Sequence, residues 1–129
     1  MNKVKENSLI TLLDWSTERI QKVLKIARDE KASYKSGNGS RSLTGKTVAL
    51  FFEKPSLRTY TTFQVGVSQL GGACTDLDPN IIQIGQRESI EDVGRCVGRW
   101  VDAIVIRCFE QKLIEDFAIH SKVPVINAL

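Results

Sequence analysis

The stretch KTVALFFEKPSLRT, Lys46 to Thr59, decides how the rest of the chain is arranged. Lys46 to Phe52 form a short, almost unbroken apolar run, the pattern of a strand covered on both faces. Glu53 to Pro55 make a turn. Residues 56–70 then carry Leu57, Phe63, Val67 and Leu70 at near-helical spacing, and Gly71-Gly72 stop the helix. A buried strand running straight into a helix is half of a parallel β-α-β unit, and the downstream sequence repeats the pattern. Residues 73–77 read as a second strand and 78–86 as a loop. A helix follows over 88–99, opening on acids and closing on Arg95 and Arg99 as the helix dipole favours. Residues 101–107 give a third strand, 110–120 a helix and 123–127 a fourth strand.

Upstream, residues 36–44 (SGNGSRSLT) are a polar Gly/Ser loop. Residues 8–33 read as a leading helix after a short extended start, with Asp14 and Ser16 as N-cap candidates. Its Ile20, Val23, Leu24, Ile26 and Ala27 predict an amphipathic helix packed on a sheet, with Lys22, Lys25, Arg28 and Lys31 on the other face. The order is therefore α, then β-α-β-α-β-α-β. That predicts an α/β fold: three α/β/α layers around a four-stranded parallel sheet in the order 2-1-3-4.

Composition bounds the rest. The 129 residues are 42% hydrophobic and 26% charged, which suits one globular domain over residues 1–129 and excludes disordered or collagen-like chains. No apolar run reaches the roughly 18 residues of a membrane helix. The polar start, Met1 to Asn7, lacks the apolar stretch of a signal peptide, so a soluble, non-exported, cytoplasmic protein is expected. The net charge of +3 is unevenly spread, with the excess of basic residues in the first half of the chain, but it is too small, and lacks the dense basic stripe, for a nucleic-acid binder. Cys74, Cys96 and Cys108 are odd in number and lack CxxC spacing; lying in or beside apolar runs, they are expected to be buried free thiols. His120 falls at a helix end, where it is expected to cap carbonyls, and Trp15 and Trp100 are expected to pack. Glu91-Asp92 read as a solvated first turn. No metal cluster and no Ser/His/Asp set is found. The last strand stops two residues before Leu129, where the loop that normally carries function in an open parallel sheet would start; a piece of something longer is expected.

Three places can carry chemistry. Ser56 at a helix mouth, with Arg58 and Thr59 behind it, offers unpaired backbone N–H groups, hydroxyls and a guanidinium fork, a set suited to phosphate. A plain Ser N-cap with a surface Arg leaves the same pattern, and spacing alone does not separate the two. No Gly-rich nucleotide loop accompanies it. Arg107 closes a buried strand; with strands one and three adjacent, it and Arg58 meet at a topological switch point, whereas otherwise it ends in solvent. The loop NIIQIGQRE, Asn80 to Glu88, exposes apolar residues unless it packs on its own domain or under a partner chain. In it, Gln83 and Arg87 have the reach to meet an anion.

Taken together, FFEKPSLRT, the LGG of Leu70 to Gly72, QIGQRES from Gln83 to Ser89, IVIR from Ile104 to Arg107 and PVINAL at the end resemble the carbamoyl-phosphate-binding domain of the transcarbamoylases. The resemblance runs from LLDWS (Leu12 to Ser16) to the end of the chain. The FEK opening and the Gln in the loop favour the ornithine-using branch; aspartate- and putrescine-using branches, and a non-catalytic anion-binding or assembly module, are the alternatives. The resemblance implies that Ser56, Leu57, Arg58 and Thr59 bind the phosphate of carbamoyl phosphate. It implies that Arg107 bridges phosphate and carbamoyl oxygen, that Arg58 and Arg107 are catalytic, and that Gln83 reaches the site of a neighbouring subunit in a homotrimer. Ornithine would be held by a second domain absent from this chain, so that the chain alone would not turn over, and neither metal nor cofactor is implied. The more usual motif reads Ser-Thr-Arg-Thr-Arg; here Leu57 and Tyr60 replace the second and fifth residues. Leu57 keeps its backbone N–H, whereas Tyr60 removes a positive charge.

Overall fold

The computed structural model describes residues 6–129, so the first five residues of the polar N-terminal stretch lie outside the described residues. Strands β1 (Thr47–Phe52), β2 (Ala73–Leu77), β3 (Ala103–Arg107) and β4 (Val125–Asn127) form one parallel sheet in the order β2-β1-β3-β4, as the sequence predicts. Helices α1 (Thr17–Lys35), α2 (Leu57–Gln69), α3 (Pro79–Ile82), α4 (Ile90–Trp100) and α5 (Gln111–Ser121) connect and cover it.

Strand alternation sorts the apolar residues into two layers. Ala49, Phe51, Ile104, Ile106 and Val125 face α4 and α5, meeting Val93, Val97, Ile114 and Phe117 in the larger core. Phe51 and Phe117 pack with ring centroids 5.7 Å apart. Val48, Leu50 and Val105 point to the opposite layer, against Val67 of α2, with Leu43 and Phe63 around them. Burial on both faces explains why β1 and β3 read as continuous apolar runs. The outer edge of β4 is closed by the chain's own start: Leu9 N–H donates to Val125 O and Asn127 N–H to Leu9 O, each at 2.8 Å. Buried Ser8 accepts from Val125 N–H at 3.0 Å.

Several expectations need correction. Helix α1 starts at Thr17, after the Ser16 cap, rather than at residue 8, and none of its residues is buried; Val23, Leu24 and Ile26 are about half exposed. Its apolar stripe does not seat on the sheet: no residue of α1 belongs to either buried cluster. The helix is held instead at its start, where Arg19 stacks 4.0 Å over Trp15 and donates to Glu6 O at 2.7 Å. The three thiols are free, yet only Cys108 is buried. Cys74 lies on edge strand β2, and Cys96 faces outward from α4, a position that neighbours buried Val97 in sequence but not in helical phase. Trp100 is also exposed, at the end of α4. The loop at 78–86 contains a short helix, α3, which Asp78 caps by accepting from Asn80 N–H at 2.8 Å and which Pro79 opens. Ile82 and Ile84 pack on the chain's own core, leaving Ile81 exposed.

Candidate anion-binding site

Parallel strands deliver their C-terminal ends to one edge, and the order β2-β1-β3 places two candidate segments side by side there. Phe52, the last residue of β1, is the register partner of Arg107, the last of β3. The chain leaving β1 stays attached to that point: Glu53 N–H and Lys54 N–H both donate to Arg107 O, at 2.9 and 3.2 Å. Pro55 and Ser56 follow, and α2 begins at Leu57. Ser56, Leu57, Arg58, Thr59 and Arg107 are therefore gathered at one edge.

The mouth of α2 differs from those of the helices that have hydroxyl or carboxylate caps. Ser16 accepts from Arg19 N–H and Ser89 from Asp92 N–H, and α4 adds Glu91 and Asp92 in its first turn. Ser56 occupies the N-cap position of α2 in an extended conformation, yet its hydroxyl makes no capping bond, and no acid stands in the first turn. Helix α5 also lacks a cap bond, but it opens on the carboxylate of Glu110. The first intrahelical donor of α2 is Tyr60 N–H, to Ser56 O at 3.1 Å. The N–H groups of Leu57, Arg58 and Thr59 precede it and have no acceptor among the described residues. A partial positive charge accompanies those amides. Arg58 is exposed and makes no ion pair with any described residue.

Arg107 is half-buried rather than solvated. Its Nη1 donates to Ala128 O at 2.7 Å, which aims the guanidinium, while its buried Nε has no protein partner. Ala128 is held in turn by Ile106 O, to which its N–H donates at 2.8 Å. The orphaned Nε–H is a donor still to be satisfied.

Gln83 is placed elsewhere on this edge. It closes α3 in the left-handed conformation, φ 49° and ψ 57°, which non-Gly residues seldom adopt. Its exposed side chain borders a cleft of about 520 Å³, together with Glu53, Asn80, Gln86, Phe109 and Glu110. None of Ser56, Leu57, Arg58, Thr59 and Arg107 lines that cleft, and its two carboxylates do not suit an anion. Within one chain, Gln83 is thus not joined to the others.

The cluster of Ser56, Leu57, Arg58, Thr59 and Arg107 presents donors suited to an anion and contains no carboxylate, thiol or imidazole. Burial pushes the Cys108 thiol above its ordinary value, and burial with the nearby Asp76 charge does the same for Cys74, so neither is a ready thiolate. Sequence reasoning missed two contributors. The Ala128 carbonyl that orients Arg107 is a backbone group and carries no residue signal. Tyr60 does more than remove a charge: it bonds to Asp76 and Gln64. The i, i+4 spacing of Tyr60 and Gln64 was the available clue.

An open parallel sheet with an uncapped helix mouth and a strand-end Arg at its switch point defines an α/β domain whose sheet edge is suited to an anion. Residues 7–129 match the family described as aspartate/ornithine carbamoyltransferase, carbamoyl-P binding domain, and the chain belongs to that family. It is 42% identical over 127 residues to the ornithine carbamoyltransferase of Anoxybacillus flavithermus, covering 98% of this chain and 40% of that protein. It is 43% identical over 122 residues to a catabolic ornithine carbamoyltransferase of Treponema denticola, covering 95% of this chain and 36% of that one. Among solved structures, the ornithine carbamoyltransferase of Pyrococcus furiosus superimposes with a TM-score of 0.92 at 38% identity, over all of this chain and 41% of that one. The chain thus spans about two fifths of the length of these relatives. Among the described residues no helix is long and apolar enough to cross a membrane.

Proposed function

We propose that residues 1–129 act as the carbamoyl-phosphate-binding domain of an ornithine carbamoyltransferase. The observation that carries this reading is the free hydroxyl of Ser56 at an uncapped helix mouth, on the same sheet edge as Arg107, whose guanidinium is held by Ala128 O. Ser56, the amides of Leu57, Arg58 and Thr59, and the Arg58 side chain hold the phosphate. Arg107 reaches from phosphate to carbamoyl oxygen. The amine of ornithine attacks the carbamoyl carbon; a C–N bond forms, the bond to the phosphate oxygen breaks, and citrulline and phosphate result as the nitrogen sheds a proton. Arg58, Thr59 and Arg107 stabilise the charge that grows on the carbamoyl oxygen in the transition state, which is why Arg58 and Arg107 are assigned as catalytic. Ornithine is held by a second domain of the kind the longer relatives have room for. Gln83, which does not join the cluster in its own chain, completes the site of a neighbouring copy in a cytoplasmic homotrimer. The names of the similar proteins support the choice of ornithine.

Calorimetry with carbamoyl phosphate and with inorganic phosphate tests the site. The chain binds both, and Arg58→Ala weakens both at least tenfold, the loss expected for a charge-assisted bond. Absence of heat with the unmodified chain would overturn the reading in favour of a module that only assembles. Citrulline formation by the 129-residue chain alone would overturn the division of labour between domains.

A further inference from the structure

Tyr60 stands where the more usual transcarbamoylase motif has its last Arg, and the structure ties it to four places at once. Its hydroxyl donates to Asp76 Oδ1 at 2.6 Å and accepts from Gln64 Nε2 at 3.1 Å. Its ring packs edge-on against Phe52, with centroids 5.3 Å apart and planes at 88°. Its backbone N–H, bonded to Ser56 O, closes the first turn of α2. The residue therefore joins the start of α2 to the ends of β1 and β2. Phe52 is also the register partner of Arg107, so the same contact fixes the α2 mouth relative to β3. Asp76 makes no ion pair among the described residues, and Tyr60 is its only side-chain partner there. A carboxylate accepting a phenol makes a strong bond.

We propose that Tyr60 is a positioning residue of the anion site: the clamp Gln64–Tyr60–Asp76, backed by Phe52, locks the first turn of α2 so that its free amides and Arg58 share one frame with Arg107. The proposal rests on the carbamoyl-phosphate reading for its ligand, but not for the clamp itself. Tyrosine holds Asp76 here through a neutral donor rather than a charge. The hydroxyl suits the task because the bond to Asp76, with burial, raises its pKa to about 12, so it remains a donor at any ordinary pH.

The test pairs Tyr60→Phe, which keeps the ring, with Tyr60→Arg, which restores a donor to Asp76. Two readouts are taken well below the melting temperature: amide hydrogen exchange along α2, and titration with inorganic phosphate. Tyr60→Phe accelerates exchange at Tyr60 to Phe63 about threefold or more, leaves the end of α2 unchanged, and weakens phosphate binding about three- to tenfold. Tyr60→Arg returns both to within about twofold of the unmodified chain. Unchanged exchange in Tyr60→Phe overturns the clamp whatever happens to phosphate. So does a loosened first turn with undiminished phosphate affinity, or failure of Tyr60→Arg to rescue. If the unmodified chain binds no phosphate, the functional reading falls and the exchange data still decide the clamp.

Discussion

Ser56→Ala separates a structural serine from a ligand-binding one, and the molecule contains its own controls. Ser16 and Ser89 occupy the same cap position on α1 and α4, and each accepts a backbone N–H, at 3.2 and 3.1 Å. Ser89 also donates to Asp92 Oδ2 at 2.8 Å. Removing such a cap costs about 1 kcal/mol. In a domain of this size that lowers Tm by about 3 to 5 °C. Ser56 makes no such bond, so Ser56→Ala forfeits only a few tenths of a kcal/mol, about 1 °C. Its cost appears on the ligand instead. Losing one hydroxyl from a phosphate costs about 1.4 kcal/mol, a tenfold loss of affinity. Thermal denaturation and phosphate calorimetry on the three alanine variants therefore give opposite orders. Ser89→Ala and Ser16→Ala are the less stable and bind normally; Ser56→Ala is stable and binds poorly. A Tm drop in Ser56→Ala equal to that of Ser89→Ala, with phosphate affinity intact, would refute the reasoning and make Ser56 an ordinary cap.

Arg107→Lys does not rescue the site: a single ammonium cannot hold Ala128 O and also present a second donor to the ligand, so calorimetry registers a loss of affinity close to that of Arg107→Ala. Gly98→Ala brings a Cβ to 2.6 Å from the carbonyl carbon of Ser121, at the crossing of α4 and α5. Forcing apart the two helices that close the larger core costs about 3 kcal/mol or more, visible as a drop in the urea midpoint. Tyr60 has its pKa raised to about 12, so its contribution to stability is complete below pH 10 and is lost as pH rises through 12. Urea titrations at alkaline pH show that slope in the unmodified chain, and Tyr60→Phe lacks it. Asp102 carries the opposite sign: Thr47 N–H and Lys46 hold its carboxyl below the usual range. Its contribution is present above the ordinary carboxylate value and lost as pH falls through the lowered one, and Asp102→Asn flattens that acid limb.

Much of the fold is legible in the chain because its strongest signals are local. A strand buried on both faces must be apolar without interruption, as Val48 to Phe52 and Ile104 to Ile106 are. Helices spaced between such strands leave a parallel sheet as the natural solution. The motif at Ser56 to Thr59 and the Arg at the end of β3 are equally local, and so were visible as candidates. Whether Ser56 caps its helix was not visible, because the same residue type serves either role; only the geometry shows its hydroxyl without a capping bond.

The seating of helices and the partners of polar groups belong to the tertiary structure. The stripe on α1 announces a helix but not a surface to cover, and α1 stands with no buried residue. Cys96 and Trp100 are apolar by type yet exposed, since helical phase rather than composition sets their direction. The bond of Tyr60 to Asp76 spans 16 positions and that of Arg107 to Ala128 spans 21. Periodicity reaches only a few residues along the chain, and such contacts exist only once strands from distant segments lie side by side. The sequence by itself determined which segments become strands and helices and which residue types stand at the edge of the sheet. The fold decided which of those side chains are engaged with one another and which are left free for a ligand.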